Sequence, residues 1–224
     1  MKKTIVYVDG FNLYFRMLKQ RPHLRWLNLK KLAEEVLSSD NEVVAVKYYT
    51  ARVSARLKAE SPAYQQIYLN ALSTVPEISV HMGMFLTSEK FAPLVHPPAF
   101  RPESTLDEPW PDVVRILKTE EKGSDVNLAS HLLFDAFRGN FEVAAVISND
   151  SDLVEPIRLV AKEMGLPVGL LSPVGSPNPE LVAAATFMKR IRPGHLETAQ
   201  FANPVLMPDG TTLEKPSHWV ADKS

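Results

Sequence analysis

Residues 4 to 12 read Thr4-Ile5-Val6-Tyr7-Val8-Asp9-Gly10-Phe11-Asn12. Four apolar or aromatic residues run directly into a carboxylate, a glycine and an amide. A run of Val, Ile and Tyr this dense reads as a buried strand. Asp and Gly commonly end strands because both favour turns, so Asp9 alone carries little information. It gains meaning only if other carboxylates arrive at the same edge.

Further runs of the same kind lie at Ile78 to Met82, Val43 to Thr50, Val143 to Ser148 and Val168 to Leu171. Amphipathic stripes separate them. Leu29, Leu32, Ala33, Val36 and Leu37 follow helical spacing, with Asn28 placed to cap the first turn. Val126, Ala129, Leu133, Ala136 and Phe137 form a second stripe, ending at Gly139-Asn140. Leu153, Ile157, Val160, Ala161 and Met164 form a third, ending at Gly165. Tyr64 to Leu72 reads as a weaker helix. Near-continuous apolar strands alternating with such helices predict an α/β three-layer sandwich around a mainly parallel sheet.

Residues 87–111 hold six of the eighteen prolines and read as an irregular insertion or a short edge hairpin. After Arg192 the chain turns polar and proline-punctuated, with a turn at Pro208-Asp209-Gly210 and Trp219 as an anchor. The expected organisation is a domain over 1–192 and an extension over 193–224.

The 224 residues are 45% hydrophobic and include no cysteine. Disulfides, thiolate metal sites and cysteine nucleophiles are therefore excluded, and a reducing cytoplasm fits. The run from Ile5 to Val8 is far shorter than the roughly 7 to 15 apolar residues of a signal peptide. No segment approaches the ~20 apolar residues of a membrane span, so no membrane partner is expected. Net charge is −1, yet residues 1–60 hold twelve Lys/Arg against six Asp/Glu, and residues 101–155 hold five against twelve. That division suits an acidic centre beside a phosphate-binding rim, and equally suits two solvated faces.

In an open α/β sheet, ligands bind at the carboxyl ends of the strands, where strand order reverses. Asp9 ends the first strand. Ser148-Asn149-Asp150-Ser151-Asp152 follows another in the same way. Glu120-Glu121-Lys122-Gly123-Ser124-Asp125-Val126 leads into a helix start expected at the same edge. Asp125 and Asp152 also suit the first turn of a helix on electrostatic grounds, and Asp152 with Glu155 resembles a capping box. Three or four carboxylates at one edge repel unless a cation is present. Oxygen donors of this type suit Mg²⁺ or Mn²⁺.

Asp9-Gly10-Phe11-Asn12, Glu121-Lys122-Gly123-Ser124-Asp125-Val126 and Ser148-Asn149-Asp150-Ser151-Asp152 resemble, in order and spacing, the three signature segments of the NYN domain. That family is a branch of the PIN-like nucleases that includes the bacterial LabA-like proteins. The resemblance covers about residues 4 to 192. It implies a PIN-like Rossmannoid fold in which Asp9, Asp125 and Asp150 bind divalent metal for RNA cleavage. Asn12 and Asp152 match supporting positions, and Asn149 stands where many relatives carry glycine. Asp152 is expected as a ligand or water-orienting group, and Asn12 and Ser148 as hydrogen-bonding supports. Lys122 either faces phosphate or pairs with a neighbouring acid.

For substrate grip, Arg16, Lys19, Arg21, Arg25, Lys30 and Lys31 form a basic stretch interleaved with Tyr14, Phe15 and Trp26. Arg52, Arg56 and Lys58 add a second. Cations there neutralise phosphates and aromatics stack on unpaired bases, unless Phe11, Tyr14 and Phe15 belong to the core. The six histidines lack metal-protease spacing, and a Gly-rich phosphate loop and a Gly-x-Ser-x-Gly motif are absent. A dehalogenase-type phosphatase needs a second Asp where Phe11 stands. The expected activity is a cytoplasmic metal-dependent ribonuclease, endonucleolytic on RNA. Its alternatives are a silent RNA- or partner-binding module of the same fold and a metal-dependent nucleotide phosphohydrolase. RNA is the expected partner, and a homodimer is compatible with the sequence.

Overall fold

A computed structural model describes residues 1–53, 60–105 and 107–220. The opening run forms β1 (Lys2–Asp9), whose residues from Ile5 onward are almost inaccessible to solvent. It pairs in parallel with β2 (Asn41–Ala51) on one side and β5 (Val143–Ile147) on the other. Beyond β2 come β3 (Ile78–Pro93), parallel, and then β4 (Val113–Lys122), antiparallel. Beyond β5 come β6 (Val168–Ser172) and β7 (Phe187–Arg190), both parallel. The sheet order is β4-β3-β2-β1-β5-β6-β7, so the chain reverses direction of travel between β1 and β5.

Helices cover both faces, completing three layers. Val6 and Val8 point toward α1 (Gly10–Leu13), its π-helical continuation Tyr14–Leu18, α2 (Leu29–Val36) and α3 (Ser61–Leu72). Ile5 and Tyr7 point the other way, toward α4 (Ser124–Phe137), α5 (Val154–Arg158) and α6 (Pro179–Ala184). This alternation is the period-2 geometry of a strand buried on both faces. Asn28 caps α2 as its position suggests, its side-chain oxygen accepting from the Lys31 amide.

Several readings are corrected. The strand expected over Ile78 to Met82 runs on to Pro93, and β4 answers it residue for residue. Of the described residues between the two strands, 94–105 and 107–112 lack regular structure, so the proline-rich segment caps a long two-stranded arm. On α4 the buried side is Leu128, Leu132, Asp135 and Ala136, whereas Val126 and Phe137 from the expected stripe are exposed. Apolar residues surround this helix, so their spacing does not fix which side faces inward. Trp26 is buried against Trp219 and Val205 and is therefore no surface for bases. After Arg192, α7 (Pro193–Thr198) supplies Leu196 to the core beside α2, and Trp219 anchors the following segment.

Behind the site, the buried Asp135 carboxylate accepts from Tyr7 Oη at 2.7 Å and Lys47 Nζ at 2.5 Å, and Asn140 Nδ2 bonds its other oxygen. Burial pushes the Asp135 carboxyl up, but these three donors outweigh it and hold the carboxyl below its usual range. The network fastens α4 to β1 and β2.

Candidate metal centre

Three chain segments meet where strand order reverses. Asp9, at the end of β1, is buried, and its Oδ1 accepts from the Asn12 amide at 2.9 Å, capping α1. Its Oδ2 accepts from Ser148 Oγ at 2.8 Å. The Ser148 oxygen in turn accepts from the Asp150 amide at 3.0 Å, which orients the loop after β5. Asp150 Oδ1 accepts from the Asp152 amide at 3.1 Å and so caps the helical turn that begins there. Asp125 occupies the first turn of α4.

One oxygen from each of Asp9, Asp125 and Asp150 lies within 4.8 Å of those of the other two. Burial raises the Asp9 carboxyl, partly offset by its bonds to Asn12 and Ser148, while Asp150 and Glu121 add repulsion. Asp125 is pushed up to about 6, first by burial and then by Asp9, Asp150, Glu121 and Asp152. Three converging carboxylates, with Asp9 and Asp125 raised by burial and neighbouring acids, fit a hard divalent cation, whose charge offsets the repulsion.

The remaining residues divide. Asn12 Oδ1 accepts from the Asn149 amide at 3.2 Å and ties the first and third segments together. Asn149 uses its own Oδ1 to accept from Asn178 at the start of α6, at 2.8 Å. That bond gives a physical role to an amide where many family members carry glycine. Asp152 is exposed and outside the trio, though its charge is felt at Asp125. Lys122 lies 3.9 Å from Glu120 on the solvent side of β4, which realises the pairing alternative.

Glu121 has no role in the sequence reading, although its segment was singled out. Its Oε2 accepts from Ser124 Oγ at 2.6 Å and its Oε1 from the Ser124 amide at 3.1 Å, capping α4. Space for it exists because Gly83 has no side chain: a Cβ there would stand 2.2 Å from Glu121 Oε1. Gly123, at φ +99°, makes the left-handed turn between Glu121 and the helix. The detectable signal was a carboxylate three residues before a helix start.

A groove of about 760 Å³ leads away from the trio, walled by Phe11, Tyr14, Tyr48, Tyr64, Tyr68 and Phe85. Burial pushes the Tyr48 hydroxyl up to about 12, so it stays protonated at neutral pH. Of the expected basic residues, Arg16 and Arg25 line the groove. Arg25 spends its guanidinium on the Leu18 and Lys19 carbonyls and lies over Tyr14, and Arg21 bonds the Met17 carbonyl. Lys19 sits over the exposed Phe15 ring.

Lys30, expected as an RNA contact, is not among the residues that line the groove. It pairs with Glu77 and Glu34 near the start of β2, the end of the sheet opposite Asp9. Lys31 is exposed on the same helix, outside the groove lining. Arg52 bonds Gln66, while Arg56 and Lys58 lie outside the described residues.

A mainly parallel sheet with carboxylates gathered at its reversal point defines an α/β protein with an acidic centre able to hold a metal ion. The NYN domain matches residues 3–191, and the chain belongs to that family. It is 26% identical to 6-hydroxy-3-succinoylpyridine 3-monooxygenase HspA of Pseudomonas putida, an alignment covering 97% of this chain and 75% of that protein. A solved structure of a protein of unknown function from Vibrio parahaemolyticus superposes with a TM-score of 0.49 at 15% identity, covering 86% of this chain and 94% of that one. Among the described residues no helix is long and apolar enough to cross a membrane.

Proposed function

We propose that this protein is a metal-dependent ribonuclease that cuts RNA internally, with Mg²⁺ or Mn²⁺ held by Asp9, Asp125 and Asp150. The convergence of those three carboxylates carries the reading. A divalent ion bound there supplies Lewis acidity and neutralises charge developing on phosphate. The chain's own residues set the geometry. Ser148 and the Asn12 amide hold both Asp9 oxygens in place, and Asn12 keeps the Asp150 loop against β1. The aromatic wall offers faces for unpaired bases, and Arg16 offers charge for phosphate at the groove rim. RNA is the partner in this reading and the cytoplasm its compartment. Incubating labelled RNA, DNA and free nucleotide with Mg²⁺, Mn²⁺ or EDTA, and resolving products by length, tests it. Metal-dependent internal cuts in RNA are expected; intact RNA in every metal would overturn the reading.

One observation favours a second reading. The Pseudomonas relative is named for an activity on a succinoylpyridine, and the aromatic groove beside Arg16 would also admit a small aromatic acid. Thermal stabilisation by pyridine carboxylates, with none by oligonucleotides, would favour that reading.

The centre has a pH signature. Because the folded Asp125 carboxyl is raised to about 6 from 3.8, it contributes stability to the metal-free protein that is complete below pH ~4 and is lost as pH rises through ~6. His81 and His131, lowered chiefly by burial, act in the opposite sense. Comparison with Asp125→Asn therefore isolates the carboxyl. In EDTA the variant should gain on wild type between pH 5 and 7.5, by roughly 2–4 °C for each kcal/mol of relieved repulsion. Millimolar Mg²⁺ should raise the wild-type melting temperature at pH 7.5, by up to about 10 °C near 100-fold saturation, and Asp125→Asn far less. Equal metal responses in both proteins would count against the shared site.

No side-chain hydrogen bond or ion pair ties the exposed Arg16 side chain to other described residues, so its reversal tests the rim without disturbing packing. Arg16→Glu should weaken single-stranded RNA binding and reduce the slope of log K against log salt by about 0.7 for the lost phosphate contact. Filter binding from 50 to 300 mM salt measures this. An unchanged slope would show that Arg16 meets no phosphate.

A further inference from the structure

The β3–β4 arm is a two-stranded ribbon that ends in an open edge. The Leu94 amide donates to the Asp112 carbonyl, which fixes the phase of the ladder. Even-numbered residues of β4 bond inward to β3, and Val113, Arg115, Leu117, Thr119 and Glu121 direct their backbone groups outward. Pro93 agrees, since it faces Val113 at a position where no amide is needed. Among the described residues no backbone hydrogen bond reaches the outward row. Leu117 on this row is 61% exposed, and Val113 and Ile116 are exposed with it. Open, apolar edges of this length are usually covered, twisted away or guarded by free charge. Here the cations do not guard it. Lys90 and Lys118 are paired with Glu120 and Arg115 with Glu89, which also leaves no free basic track for a nucleic acid.

We infer that β4 pairs antiparallel with β4 of a second copy, about a two-fold axis at Leu117, making one sheet that runs through both molecules. The sequence of the strand selects that register. A two-fold at Leu117 pairs residues 113–121 of each chain and sets Ile116 opposite Lys118, Arg115 opposite Thr119 and Val114 opposite Glu120, with no like charges facing. An axis at Lys118 would oppose two ammonium groups. An axis at Thr119 or Ile116 shortens the pairing within the strand. The occupant is thus a strand of nine residues with no net charge, whose cations precede its acids so that an antiparallel copy brings opposite ends together, which is what β4 itself presents. Thr119 and Glu121 also line the groove, so the pairing would set two candidate centres along one continuous sheet.

Sedimentation equilibrium on the full chain, with no metal or ligand required, tests the pairing. Wild type should sediment at twice the 25.0 kDa chain mass. Leu117→Lys, a substitution on solvent-exposed surface, should return it to 25.0 kDa with unchanged near-ultraviolet circular dichroism. Because the chain lacks cysteine, Leu117→Cys places one thiol at the axis, where cross-strand spacing of ~5.5 Å suits a disulfide. Mild oxidation should link that variant into dimers, while Met188→Cys on β7, the opposite edge of the sheet, should remain unlinked. A wild type that stays at 25.0 kDa at hundreds of micromolar overturns the inference. So does a dimer that survives Leu117→Lys, or equal crosslinking through Met188→Cys.

Discussion

Asp9→Asn should yield a folded protein that still binds RNA and has lost cleavage by roughly 10²-fold or more, the scale on which removing one charge-stabilising group acts. Asn preserves the local fold for a definite reason. Its Oδ1 can still accept from the Asn12 amide, so the cap on α1 survives, and its amide can donate to Ser148 Oγ in place of accepting from it. What disappears is one anionic oxygen among three. Relief of repulsion with Asp150 and Glu121 should leave the metal-free melting temperature equal or higher. Cleavage at the wild-type rate by pure, folded Asp9→Asn would remove the catalytic reading and reduce Asp9 to a helix cap.

Asp135→Ala should be the most destabilising single change at this distance from the centre. Only 5% of the Asp135 side chain and 20% of the Lys47 side chain reach solvent, and the Tyr7 hydroxyl has no access at all. Deleting the carboxylate strands an ammonium and a buried hydroxyl together, a loss of about 3–5 kcal/mol. For a chain of this size that lowers the melting temperature by roughly 6–20 °C. The double change Asp135→Leu with Lys47→Met removes both charges and should recover part of the loss. Urea unfolding of the three proteins measures it. A stable Asp135→Ala protein would mean that Lys47 finds water and the network contributes little.

How much was legible follows from what each residue had to satisfy. Strands β1, β2, β5 and β6 were readable because a strand covered on both faces is largely apolar, even where, as at Lys47, a buried ion pair interrupts it. Asp9, Asp125 and Asp150 were readable because each ends a strand or begins a helix at the edge where topology places ligands. β4 was hidden by its own exposure. A ribbon wet on both faces needs no apolar period, and Arg115, Lys118, Glu120 and Lys122 interrupt the apolar residues of β4. Glu121 was missed with it, since its part depends on Gly83 from a neighbouring strand, a tertiary fact. What the basic stretch bonds to was not legible, for the complementary reason. Arg21 and Arg25 satisfy backbone carbonyls where the chain turns, and Lys30 answers Glu77, contacts that charge counting cannot see.

The spread of the three carboxylates along the chain bears on how the protein is made. Asp9 is added to the growing chain well before Asp150. At ~5–20 residues per second the interval between them is on the order of 10 s. Through that interval the nascent chain carries one or two acids with no partner strand to gather them. Only when β5 is laid beside β1 does the reversal point exist, and with it a place for the ion. The three-carboxylate centre thus comes into being only after the segment that carries Asp150 has been made.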